Sequence, residues 1–138
     1  MNKSKTTSWS TPKDLYDKLN DEFKFDDFDP CPLNDNPEFD GLKIEWADNT
    51  FVNPPYDKLG STKKNGIGWV EKAWLESTKG KLVVMLIPAR TDTAWFHDII
   101  QKDLSIEVRF IRGRLKFGES KTSAPFPSMV VIMRPPPK

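Results

Sequence analysis

The chain contains one cysteine and one histidine in 138 residues. A lone cysteine forms no internal disulfide, and no cluster of cysteine and histidine exists to hold zinc. Nucleophilic chemistry of the Ser-His-Asp or Cys-His kind would have to run through His97 or Cys31. No apolar run approaches the ~18 residues that a membrane span requires, and Met1 to Ser10 is polar. These absences lead us to expect a soluble, cytoplasmic, reduced protein with no metal and no membrane partner. The length suits one domain over residues 1–138, with a real core and no room for a separate target-recognition domain.

Net charge is nearly absent too, at +1, but the balance conceals an asymmetry. Residues 13–48 carry four lysines against twelve acids, a net of −8; residues 49–138 carry fifteen Lys or Arg against eight acids, a net of +7. A basic C-terminal half suits a polyanion, and an acidic N-terminal segment suits a cationic ligand or simple solubility.

Thr11 and Pro12 look like a helix start, a hydroxyl at the cap and proline in the first turn. Leu15, Tyr16, Leu19 and Phe23 follow at helical spacing, predicting a helix to about Glu22. Phe25 and Phe28 bracket a short strand ending at Asp29-Pro30-Cys31-Pro32, and residues 33–43 read as loop. Thr50-Phe51-Val52 is a strand that stops at Asn53-Pro54-Pro55-Tyr56, and residues 57–68 form a flexible loop. Trp69, Val70, Ala73 and Trp74 predict a helix stopped by Gly80, and Leu82 to Ile87 a central strand buried on both faces. Thr91 or Asp92 caps a helix carrying Trp95, Phe96, Ile99 and Ile100. Ile106 to Ile111 is a strand, with Leu115 and Phe117 as its hairpin partner and Met129 to Met133 as the last buried strand. Helices and strands alternate, so the expected fold is a three-layer α/β domain with a mixed sheet ending in an antiparallel hairpin.

Asn53-Pro54-Pro55-Tyr56 is the most informative stretch, since chance gives it on the order of 10⁻³ of the time in a chain this long. It ends a strand, where α/β sheets place their ligands; a rigid proline turn would need neither Asn nor Tyr. An amino group conjugated to a ring, as in adenine, is a poor nucleophile because its lone pair is delocalised. The Asn53 carboxamide oxygen and the Pro54 carbonyl can accept its two N–H bonds, favouring a pyramidal nitrogen whose lone pair points at an electrophile. Proline fixes that carbonyl in advance. Tyr56 offers a π-face on which an extruded base stacks. This chemistry requires no metal, thiol or strong base.

The chain resembles the phage-type DNA adenine methyltransferases, small S-adenosylmethionine-dependent enzymes. The resemblance runs through Trp9-Ser10-Thr11-Pro12, Phe28-Asp29-Pro30-Cys31, Phe51-Val52-Asn53-Pro54-Pro55-Tyr56, Pro88-Ala89-Arg90-Thr91-Asp92-Thr93 with Trp95-Phe96, Gly113-Arg114-Leu115-Lys116-Phe117, and Ala124-Pro125-Phe126-Pro127-Ser128. It implies a methyltransferase-like, Rossmann-like domain with Asn53, Pro54, Pro55 and Tyr56 at the catalytic centre. It puts Thr11 and Pro12 at the methionine end of the donor, and Asp29, Pro30 and Cys31 where a glycine-rich first motif usually lies. Here no glycine follows Asp29 until Gly41, so the loop must approach its ligand differently. Asp29 balances the donor's positive charge or is a turn aspartate; Cys31 is a small buried apolar residue as readily as a contact. Asp48 faces the donor's adenine or ribose or else a surface turn, and Trp9 is a candidate lid. His97 reads as a surface residue, and Trp69, Trp74 and Trp95 as core.

The implied substrate is double-stranded DNA. Lys58, Lys63 and Lys64 in the glycine-rich loop suit phosphate contact, because a flexible point charge follows a backbone without reading bases. Arg90 is placed to position the target nucleotide, Arg112 and Arg114 to read a guanine edge, and Lys116 to join them; solvated turns are the alternative. The resemblance also suggests a phage or prophage origin and protection from restriction. Other readings stay open: methylation of an RNA base or a protein glutamine amide, or a catalytically silent DNA-binding domain.

Overall fold

The computed structural model describes residues 10–32, 40–117 and 123–137. Helix α1 (Lys13–Phe23) leads into a four-stranded mixed sheet. The strands are β1 (Asn49–Val52), β2 (Leu82–Pro88), β3 (Glu107–Phe110) and β4 (Ser128–Met133), in spatial order β1-β2-β4-β3. β1 and β2 are parallel, which requires a crossover; helix α2 (Trp69–Thr78) supplies it. β4 runs antiparallel to both neighbours, inserting between β2 and β3 although it comes last in the chain. With β1 on one side and β4 on the other, β2 is interior, and Val83 to Ile87 are completely buried. That burial accounts for an apolar run with no alternation.

Registers pair Phe51 with Val84, Leu86 with Val130, and Arg109 with Val130, so these side chains share one face of the sheet. Helix α1 covers that face. Tyr16 meets Phe51 edge-on at 5.3 Å, and the Arg109 guanidinium lies 5.5 Å from the Phe23 ring while gripping Glu22 through two 2.7 Å bonds. Helix α2 packs against β2 and β4.

The expected elements are largely present, with five corrections. Phe25 to Phe28 is not a strand. It touches β1 through one backbone bond, Asp26 N–H to Asn49 carbonyl at 2.8 Å, and the Asp26 side chain then accepts the Asn49 N–H at 2.9 Å, ending the ladder. Leu115 and Phe117 do not pair with β3. Gly113 turns at φ +77, Leu115 accepts a bond from Ala124 across the connection, and the fully buried β4 takes the partner edge. The sheet therefore ends in an antiparallel pair without a tight hairpin. The helix after β2 is a π turn (Phe96–Ile100), closed by Gln101 N–H donating to the Phe96 carbonyl five residues back, and its start is held by the Thr93 hydroxyl. Helix α1 is flanked by Pro12, with no side-chain cap from Thr11. Residues 57–68 are not a featureless flexible loop but hold local structure: a 3₁₀ turn (Tyr56–Lys58), buried Leu59, and a Thr62–Gly66 bridge. Among the described residues no helix is long and apolar enough to cross a membrane.

Candidate active site

Strand directions and registers bring four chain segments to one edge of the sheet. The ends of β1, β2 and β3 and the start of β4 lie there, placing Asn53, Ala89-Arg90, Ile111-Arg112 and Pro127 together. Two backbone bonds tie this edge: Ala89 N–H to the Pro127 carbonyl at 2.9 Å and Ile111 N–H to the Ser128 carbonyl at 3.1 Å.

Beside it opens a cavity of about 700 Å³ whose walls include Thr11, Asp29, Cys31 and Asn53. Residues far apart in the chain thus line one cavity. The cavity adds four rings not foreseen as site residues, Tyr16, Phe25, Phe28 and Phe51, together with Asp26, Asp27 and Lys13. Such a volume falls in the range of small-molecule sites. Three expected donor residues do not line it. Pro12 flanks α1, and Pro30 is buried. Asp48 is exposed at the opposite end of β1, its carbonyl accepting the Leu82 N–H at 2.7 Å. Trp9 lies outside the described residues.

The Asp29 loop has its glycine after all, supplied from a distance. A Cβ on Gly41 would stand 1.9 Å from the Pro30 carbonyl oxygen, so only glycine permits this approach. Trp46 holds the glycine in place, its indole N–H donating to the Gly41 carbonyl at 2.7 Å while its ring stacks 6.1 Å from Trp69. Asp29 accepts the Cys31 N–H at 2.9 Å, a local Asx turn. Asp29 is exposed at the cavity wall, yet the protein around its carboxyl desolvates it enough to push its pKa up, with the Cys31 bond offsetting part of the shift.

Asn53 sits between two hydroxyls. Its Nδ2 donates to Thr11 Oγ1 at 3.0 Å, and its Oδ1 accepts the Tyr56 hydroxyl at 2.8 Å. Tyr56 is only 3% exposed. Its ring meets Phe126 and Phe117 edge-on, with ring centroids 5.4 and 6.3 Å apart, and its hydroxyl also approaches the Leu86 carbonyl at 3.3 Å. Burial pushes the phenol pKa far up, with Arg90 pulling slightly the other way, so the hydroxyl stays a neutral donor. The expectation of an open π-face is therefore not met in this structure. The proline pair turns the chain into the 3₁₀ turn, begun by Lys58 N–H to the Pro55 carbonyl at 3.2 Å, and the ring is directed into the core. The tyrosine's contribution here is its hydroxyl. Pro54 is buried beside it and Pro55 half-buried.

Lys58, Lys63, Lys64, Arg90, Arg112, Arg114 and Lys116 are all exposed. Lys63 and Lys64 form the tip of the Thr62–Gly66 turn. Arg114 makes a long 3.5 Å contact to the Ala124 carbonyl, whereas neighbouring Arg109 is occupied by Glu22 and Glu107. His97 is exposed, as expected, with its ring edge-on to Phe96. Among the described residues no group of three or more His, Cys, Asp or Glu is arranged to hold a metal ion.

No curated protein and no solved structure matches this chain. A family model described as DNA N-6-adenine-methyltransferase (Dam) matches residues 1–137, a span that takes in the cavity, the sheet edge and the exposed basic residues together. The chain belongs to the DNA N-6-adenine-methyltransferase (Dam) family.

Proposed function

We propose that this protein transfers the methyl group of S-adenosylmethionine to the exocyclic amino group of an adenine extruded from duplex DNA, acting in the cytoplasm. The observation that carries the reading is Asn53, held by Thr11 and Tyr56 at the wall of the Asp29 cavity. The same proposal takes the fold as a three-layer, Rossmann-like one, supported by α1 on the Phe51 face and α2 against β2 and β4.

The cavity's chemistry fits the donor. A carboxyl whose ionisation is opposed by burial gains from a cationic neighbour, and the rings of Tyr16, Phe28 and Phe51 suit a purine. S-adenosylmethionine supplies an activated methyl group on a positively charged sulfur. Asn53 Oδ1 and the Pro54 carbonyl accept the amino N–H bonds and turn the nitrogen lone pair out of the ring. After transfer the nitrogen is strongly acidic and sheds its proton to water, so no general base is needed.

Asp29 gives this site a pH signature. Its folded pKa is raised, so the carboxylate that should pair with the donor is lost as pH falls through a range above that of an ordinary aspartate. Donor affinity measured by calorimetry should weaken as pH falls through that range, and Asp29→Ala should be weak at every pH. An Asp29→Ala variant that binds as the wild type does would move the donor elsewhere.

The exposed basic residues supply the DNA side of the reading. Replacing Lys63 and Lys64 together by alanine should weaken binding to all duplexes alike and reduce the salt slope by roughly 2. An unchanged slope would remove this turn from the DNA face. The substrate class is tested with purified protein, labelled donor and three acceptors: duplex DNA, RNA and a protein extract. Label in DNA is expected. Label only in RNA or protein overturns the substrate, and donor binding with no label in any of the three favours a silent DNA-binding domain.

A further inference from the structure

We infer that Thr11 is a positioning residue for the transfer step, holding the Asn53 carboxamide instead of serving chiefly as a donor contact. The inference rests on the reading of Asn53 given above. Thr11 Oγ1 accepts the Asn53 Nδ2 hydrogen at 3.0 Å across 42 residues of sequence, and the Tyr56 hydroxyl donates to Oδ1 at 2.8 Å. A carboxamide rotates broadly about its terminal torsion, and only one of its two ends accepts hydrogen bonds. An amino group carrying two N–H donors is received productively by the oxygen end alone. Tyr56 cannot hold that orientation unaided, because its hydroxyl also lies 3.3 Å from the Leu86 carbonyl and divides its hydrogen between two acceptors. Thr11 engages the opposite end of the amide and completes the clamp.

Pro12 explains why Thr11 is available. A residue before proline is confined to extended backbone, so Thr11 stays outside the helix, and its hydroxyl makes no cap bond. The same residue lines the cavity, so one side chain touches both the donor site and the catalytic carboxamide.

The test is Thr11→Val, nearly isosteric without the hydroxyl, beside Thr11→Ser, which retains it. Expected for valine is a fall in kcat of roughly tenfold, the equivalent of one preorganised hydrogen bond, with donor affinity and Tm near wild type. Serine should restore kcat. A valine variant with weakened donor affinity and full kcat would overturn the inference and return Thr11 to the donor. A second readout, needing no turnover, is hydrogen exchange of the Asn53 side-chain amide by NMR, its signal assigned with Asn53→Ala. Slow exchange in wild type and serine but fast exchange in valine supports the clamp; equal exchange in all three contradicts it. If wild-type protein methylates none of the acceptors, the functional reading fails while this amide measurement still decides the clamp.

Discussion

Asn53→Ala should lower turnover by roughly 10²-fold or more while leaving donor affinity within about twofold of wild type. The separation follows from where the carboxamide is engaged. Its two ends are taken by Thr11 and Tyr56 at the edge of the sheet, whereas the charged partner we propose for a cationic donor is Asp29, elsewhere on the cavity wall. Removing the amide deletes an acceptor aimed at the amino group, an interaction that strengthens as the nitrogen becomes pyramidal and positive, so the loss falls on the chemical step. Steady-state kinetics with labelled donor, together with calorimetry, check both halves. Wild-type turnover in the alanine variant would end the assignment, and a large loss of donor affinity would make Asn53 a donor residue.

The largest effect on stability is expected at Glu76, well away from the chemistry. This carboxylate is closed to solvent and meets Lys72 at 2.9 Å, Lys79 at 2.8 Å and Lys81 at 3.4 Å, while accepting the Trp46 N–H at 2.9 Å. Burial alone would raise its pKa; bonds from Lys79, Trp46 and Lys72 overturn that and hold it at about 2. Glu76→Ala strands several ammonium groups and a buried N–H, for a loss of about 3–5 kcal/mol, discounted toward the lower figure because Lys79 is half exposed. For a chain of this size that is roughly a 10 °C fall in Tm. A depressed folded pKa adds stability that is complete above the unfolded value of 4.5 and lost as pH drops toward about 2. Wild-type and variant melting temperatures should therefore differ most near neutrality and converge in acid; a constant gap would rule out the ionised carboxylate as the cause. The effect should also reach the donor loop, because Trp46 links Glu76 to Gly41, and Gly41 packs on Pro30.

Long-range placement separates what was readable in the chain from what was not. The unbroken apolar runs of β2 and β4 announce interior strands, and the periodicity of Leu15, Leu19 and Phe23 announces α1, because burial on a known face imposes those patterns locally. Asp29, Cys31 and Asn53 were nameable from their motifs, and they do share a cavity. The short pattern at Phe25 to Phe28 misled, since alternation reports a buried face and says nothing of whether a ladder continues beyond one bond. Leu115 and Phe117 misled for the same reason: β4 outcompetes them for the edge of β3. Thr11 has the local signature of a helix cap, and its actual partner lies 42 residues away. The role of Gly41 depends on a close approach to Pro30 that no local pattern encodes. At Tyr56, residue type and position were legible, but the direction of the ring depends on the 3₁₀ turn and on Phe117 and Phe126.

The most direct test of the central claim is to incubate the purified protein with unmethylated duplex DNA and isotopically labelled S-adenosylmethionine, digest the DNA to nucleosides, and identify the labelled species by mass spectrometry. The account predicts label in N6-methyldeoxyadenosine, abolished by Asn53→Ala. Label confined to a methylated cytosine, or an equal yield of N6-methyldeoxyadenosine from the Asn53→Ala variant, would contradict it.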